Sequence, residues 1–182
     1  MWQRKRNRLP LEVYQGQRIY HITICTFQSK RLFIDDEIVN THLAALKSCA
    51  EKYHFEVLAY CYMPDHVHLL LASRDNNESD EDGNLKASAT YHNVAETFRS
   101  PLIIKVIRAY KQLTGFAYKR VFGQPLWQKS YYDHILRKEE DIIRNIRYLL
   151  ENPVRKDLVK EFYKYPYSGS LKWGREIFNM VE

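Results

Sequence analysis

The chain has 182 residues, 45% of them hydrophobic, enough for one buried core and short for two. Its 28 Lys and Arg against 22 Asp and Glu leave a net charge of +6 and a pI near 9.1, which favours a polyanionic partner without naming it. No stretch approaches the ~20 apolar residues of a membrane span. The basic start (Arg4, Lys5, Arg6, Arg8) lacks the apolar run of a secretory signal, and Cys25, Cys49 and Cys61 form no CxxC pair. The expectation is a soluble, cytoplasmic protein with reduced thiols.

In chain order, residues 1–16 read as a basic arm, and Arg18 to Phe27 (RIYHITICTF) as a strand, β-branched, aromatic and roughly alternating. A helix follows, capped by Asp35 and Asp36, with Val39, Leu43, Leu46, Ala50 and Tyr53 down one face. Phe55 to Tyr62 and His66 to Ala72 are strands of a hairpin joined at Met63-Pro64-Asp65. Arg74 to Phe98 hold two bases and six acids, a net of −4 that leaves +10 on the rest, and the acidic stretch from about 75 to 98 reads as a loop insertion. Ser100-Pro101 open a second helix as N-cap and first helical residue, Leu126 to Leu136 form a fourth strand, and Glu139 to Glu151 a third helix, stopped by Pro153. This order predicts an α+β fold: a ferredoxin-like split βαβ (βαββαβ) antiparallel sheet plus a C-terminal helix. Residues 17–159 are expected to form the single domain, and 160–182 an aromatic tail that either clamps or stacks on DNA or covers the sheet.

Strand alternation puts His66 and His68 on one face, where they can converge on one metal or stand as two half-buried histidines with hydrogen-bond partners. In the last helix Ile142, Ile143, Ile146, Leu149 and Leu150 cluster on one side, and Tyr148 points nearly opposite. Asn152 lies one turn further along the face of Tyr148, so a hydroxyl and an amide oxygen can address one point. A surface tyrosine packed on whatever covers the helix is the alternative.

Several stretches together resemble the HUH single-tyrosine transposases of the insertion-sequence-200 type, and most closely the REP-associated tyrosine transposases. They are Tyr20-His21-Ile22-Thr23, Met63-Pro64-Asp65-His66-Val67-His68-Leu69-Leu70, Leu126-Trp127-Gln128 with Tyr132-Asp133-His134, and Tyr148 through Asn152-Pro153-Val154. The resemblance implies His66, His68 and Asn152 as metal ligands, Tyr148 as the nucleophile, magnesium or manganese as the metal, and single-stranded or hairpin DNA as the substrate. The protein is then a monomer or homodimer that cleaves and transfers strands through a 5′-phosphotyrosine. The acidic stretch departs from the family pattern, where hairpin and second helix are joined more tersely.

His21 and His134 are candidates to orient a ligand, or packed strand histidines. Lys105, Arg108 and Lys111, continuing to Lys119 and Arg120, fall on the polar side of the second helix and with Arg4, Lys5, Arg6 and Arg8 are candidate phosphate contacts. Two readings compete with the transposase-like enzyme. A DNA-hairpin binder without turnover needs none of His66, His68, Tyr148 and Asn152, and a phosphoesterase that activates water works without Tyr148.

Overall fold

The computed structural model describes residues 18–74, 101–136 and 141–181. Five strands form one sheet in the order β4-β1-β3-β2-β5, every neighbouring pair antiparallel: β1 Ile19–Cys25, β2 Phe55–Met63, β3 His66–Ser73, β4 Tyr132–Ile135 and β5 Ser168–Gly169. The helices are α1 Asp36–Lys52, α2 Leu102–Phe122, α3 Ile142–Leu150 and the short α4 Asn152–Arg155 and α5 Glu176–Asn179. The first four strands and first three helices follow the expected split βαβ arrangement. None of the helices, among the described residues, is long and apolar enough to cross a membrane.

Both faces of the sheet are covered, and the strand period sorts side chains between two cores. Tyr20, Ile22, Ile24, Val67, Leu69 and Leu71 pack toward Leu46 of α1 and Ile103, Val106 and Ile107 of α2. Ala59, Cys61, Met63 and Leu70 pack on the other side against Ile146, Leu149 and Leu150 of α3. Asp35 caps α1 through its carboxylate, which accepts from the backbone N–H groups of Glu37 and Ile38. Inside the first core His42 is buried against Phe33 and Trp127, and its Nδ1 lies 3.0 Å from the Tyr110 hydroxyl, itself 3.2 Å from that of Tyr62. Burial holds the His42 imidazole down at about 4 and pushes both phenols well up.

Four boundaries differ from expectation. β1 stops at Cys25, because the chain turns through a 3-10 segment, Phe27–Ser29, in which Gln28 and Ser29 both have φ of 54°. The fourth strand is only Tyr132–Ile135. Residues 126–128 join β1 through one isolated bridge, Thr26 to Trp127, and the carbonyls of Gln128, Lys129 and Ser130 then turn onto the Lys111 ammonium instead of continuing the ladder. Pro101 is the N-cap of α2, not its first residue, and Ser100 lies outside the described residues. The third helix starts at Ile142 with Asp141 as its cap, accepting from the N–H of Ile143; Glu139 and Glu140 lie outside the described residues, as do residues 1–17 and the acidic stretch.

The C-terminal residues complete the second core. Tyr165 is buried and donates to the carbonyl of Tyr62, while Ile177, Phe178 and Val181 pack with it on the α3 side of the sheet. β5 adds two residues to the edge of β2, and Gly169 makes this approach: a Cβ there would stand 3.0 Å from the Tyr60 hydroxyl. Tyr165 therefore covers the sheet, whereas Tyr163 stays exposed.

Candidate active site

The site is built on the α3 face at the middle of the sheet. β1 and β3 are in register with Thr23 opposite His68 and Cys25 opposite His66, so alternation places His21, Thr23, His66 and His68 on one side while Ile22, Ile24, Val67 and Leu69 anchor the strands below. Each imidazole is held by its inner nitrogen. His66 Nδ1 is 2.7 Å from the Asp65 carboxylate, and His68 Nδ1 is 2.9 Å from the Thr23 hydroxyl. Both Nε2 atoms consequently point at the same place, 3.1 Å apart, with the rings nearly perpendicular at 88°. Burial, with the neighbouring His66 and His21 and the Arg155 guanidinium adding to it, depresses the His68 imidazole to about 3. A neutral imidazole keeps its lone pair for a ligand bond at any physiological pH.

At that 3.1 Å separation one Nε2–H can donate to the other Nε2, and with the proton of each ring on Nδ1 the same two nitrogens offer their lone pairs to a cation. Ligands ~2.1 Å from one ion and at right angles stand ~3.0 Å apart, as these do. Among the described residues no group of three His, Cys, Asp or Glu forms a metal cluster, so a third donor drawn from them would be of another kind. The Asn152 side chain suits such a role in chemistry. Its Nδ2 donates to the carbonyls of Leu149 at 3.0 Å and Tyr148 at 3.2 Å, which fixes the amide plane and turns Oδ1 away from the helix backbone.

Tyr148 lies on the opposite side of α3 from Ile146, Leu149 and Leu150 and is 55% exposed. Its ring meets His21 edge to face at 6.4 Å, and His21 in turn meets His68 at 5.5 Å. The helix thus delivers its tyrosine to the histidine cluster. His21 is half-buried, its Nε2 has no hydrogen-bond partner among the described residues, and burial with His134 across the β1-β4 ladder holds it down at about 4. His134 itself is exposed on β4. Tyr131 is buried, and Tyr132 is exposed.

Arg155 is a member of this cluster that sequence reading missed. Its guanidinium sits 4.1 Å above the Tyr148 ring, donates to the Tyr148 carbonyl, and is held by the Glu151 carboxylate at 3.3 Å, which also takes Arg147 at 2.9 Å. The signal was its spacing: seven residues is two helical turns, which returns Arg155 to the face of Tyr148. Thr23 and Asp65 were likewise visible only as parts of motif strings. Their roles follow from strand register and from the hairpin turn, which one-dimensional spacing does not specify.

The other candidates lie apart. Lys105, Arg108, Lys111, Lys119 and Arg120 are carried by α2, on the far side of the sheet from the histidines, and Lys111 is bound to the three carbonyls of residues 128–130. Arg4, Lys5, Arg6 and Arg8 lie outside the described residues.

Residues 14–92 match the family described as Transposase IS200 like, a stretch that includes His21, Thr23, Asp65, His66 and His68 and ends before Tyr148. A Haemophilus influenzae protein provisionally assigned as a REP-associated tyrosine transposase is 27% identical over 151 residues, 83% of this chain and 78% of that protein. A second protein of the same organism, with no assigned activity, is 25% identical over 153 residues, 78% of this chain and 83% of its own. A REP-associated tyrosine transposase solved bound to a REP hairpin superimposes with a TM-score of 0.55, covering 92% of this chain and 82% of its own at 15% identity, which is a likeness of fold. The chain is therefore similar in sequence to the IS200-like transposases and shares the fold of a REP-associated tyrosine transposase.

Proposed function

We propose that the protein is a metal-dependent, single-tyrosine DNA endonuclease and strand transferase acting on hairpin or single-stranded DNA. The observation that carries this reading is the convergence of the His66 and His68 Nε2 atoms, each with its other nitrogen pinned, with the exposed ring of Tyr148 one ring away across His21. Hairpin DNA as substrate is taken from the relative solved with one.

His66, His68 and the Asn152 Oδ1 would hold magnesium or manganese, whose bound charge neutralises the scissile phosphate and polarises the bond to be broken. Tyr148 attacks the phosphorus, its phenolic proton leaves, the bond to the 3′ oxygen breaks, and that oxygen takes up a proton as a 3′-OH. The 5′ end of the DNA stays on Tyr148 as a phosphotyrosine. Attack by a 3′-OH reverses the step and joins strands without ATP, because one phosphodiester is exchanged for another. Arg155 holds the face of the ring and has N–H groups left to meet phosphate oxygens.

The test is the covalent adduct. Hairpin DNA with magnesium or manganese should leave DNA on the peptide containing Tyr148 after denaturation. Tyr148→Phe should bind DNA and form no adduct, and His66→Ala or His68→Ala should abolish it with the fold kept, since neither side chain belongs to the two hydrophobic cores. Cleavage at the normal rate by Tyr148→Phe would transfer the protein to the water-activating phosphoesterases. DNA binding without cleavage by the native chain would make it a binder.

A further inference from the structure

A pocket of about 450 Å³ lies between α2 and residues 125–131, on the side of the sheet away from the histidines. Its volume is within the range of cavities that enclose small organic ligands. Arg108, Lys111, Lys119 and Lys129 line it, and no Asp or Glu among the described residues does. Lys111 is tied to the carbonyls of residues 128–130, so it fixes one wall and contributes its charge, while Arg108, Lys119 and Lys129 are exposed.

Gly115 gives the second, independent indication. It stands inside the 21-residue helix α2, where glycine is the least favoured residue after proline. Packing does not demand it there: a Cβ would meet only Trp127 Cδ1, at an ordinary contact distance of 3.6 Å, and its backbone is helical. The missing side chain therefore leaves space open on the wall of the basic pocket and relieves no clash.

The pocket is also coupled to the histidine site through the backbone. Gln128, on its wall, donates to the Cys25 carbonyl at 2.9 Å, and Cys25 is paired with His66. Two strand spacings, roughly 10 Å measured through the sheet, separate Gln128 from His66. A strand seated at both places has to pass around the end of the sheet, which a base-paired duplex is too stiff and wide to do over that distance.

We propose that this pocket is a binding subsite for one unpaired nucleotide of the DNA strand, its phosphate met by Arg108, Lys119 and Lys129 and its base lodged in the space beside Gly115. This rests on the DNA reading given above and names a part of the substrate that the reading leaves open.

Binding is measured with chelator present, so that no turnover occurs, using a short single-stranded oligodeoxynucleotide, the same sequence as a blunt duplex, and a free deoxynucleoside monophosphate. Gly115→Leu fills the space and removes no charge; it should weaken the single strand about tenfold and leave the duplex nearly unchanged, as expected for a pocket that admits a base and not a helix. Thermal unfolding checks the fold. The double variant Arg108→Ala, Lys119→Ala keeps Gly115 and should flatten the dependence of log K on log salt for the single strand by about 1.4, two phosphate contacts at ~0.7 each. Unchanged single-strand affinity in both folded variants overturns the proposal. Loss of the free mononucleotide alone would make the pocket a site for a small ligand, and also overturns it. If the native protein binds the single strand, and these variants weaken it, but no adduct forms with metal, the subsite stands and the cleavage reading falls.

Discussion

At Arg155 one guanidinium touches three parts of the candidate site: the ring of Tyr148, the carbonyl of the same residue, and Glu151 at the end of α3. Arg155→Ala should lower the rate of adduct formation about tenfold at saturating DNA, or about 1.4 kcal/mol, a modest figure because the side chain is partly exposed. Arg155→Lys should recover part of this, since an ammonium keeps the charge but lies less flat on a ring. A single-turnover adduct assay decides, and an unchanged rate would reduce Arg155 to a helix-end contact. His42 supplies a different test, of stability. Its imidazole titrates near 4 when folded and near 6.5 when unfolded, so the unfolded chain binds the extra proton first; stability is full above about 6.5 and is lost as the pH falls toward 4. The loss amounts to at most about 3 kcal/mol, and His21 and His68 act in the same direction. His42→Gln keeps a polar partner for Tyr110 and should make the fall of unfolding free energy between pH 6.5 and 4 shallower; an unaltered slope would show that His42 does not titrate there.

At the scale of elements, β5 and α5 are what residue patterns conveyed least. Two residues of strand carry no period, and four residues of helix carry barely one turn, so neither leaves a recognisable mark in sequence. Their effect is nevertheless structural, because Tyr165, Ile177, Phe178 and Val181 close the face of the sheet on which α3 lies. Tyr165→Ala should cost about 3 kcal/mol by opening a cavity there, and Tyr165→Phe about 1 kcal/mol by leaving the Tyr62 carbonyl without its donor. Urea unfolding at unchanged m-value measures both. A neutral Tyr165→Ala would mean that the C-terminal segment is dispensable to the core. The opposite case is α3: of the expected stripe Ile146, Leu149 and Leu150 are buried while Ile142 and Ile143 at its start are exposed, and the stripe placed Tyr148 on the open side without any knowledge of the sheet.

For the whole molecule, charge is unevenly spread: the acidic stretch carries a net of −4 and the remainder +10. DNA affinity should therefore fall steeply with salt, and deleting residues 76–84 should tighten binding at low salt while adduct formation persists, because removing acids raises the local positive potential. Lost adduct formation in a folded deletion variant would place that stretch in the active site. The sequence by itself determined the first four strands of the sheet in outline, the pairing of His66 with His68 on one face, and the exposure of Tyr148, since each depends only on the period of a strand or a helix. Tertiary structure decided what depends on register and on chain return. It matched Thr23 to His68, carried Arg155 over the Tyr148 ring, set the basic residues of α2 behind the sheet instead of beside the histidines, and used the tail as a cover. Apart from Arg155, seven residues from Tyr148, these contacts join distant parts of the chain, Tyr165 and Tyr62 being 103 positions apart, and local spacing holds no information about which distant strand or helix will lie alongside.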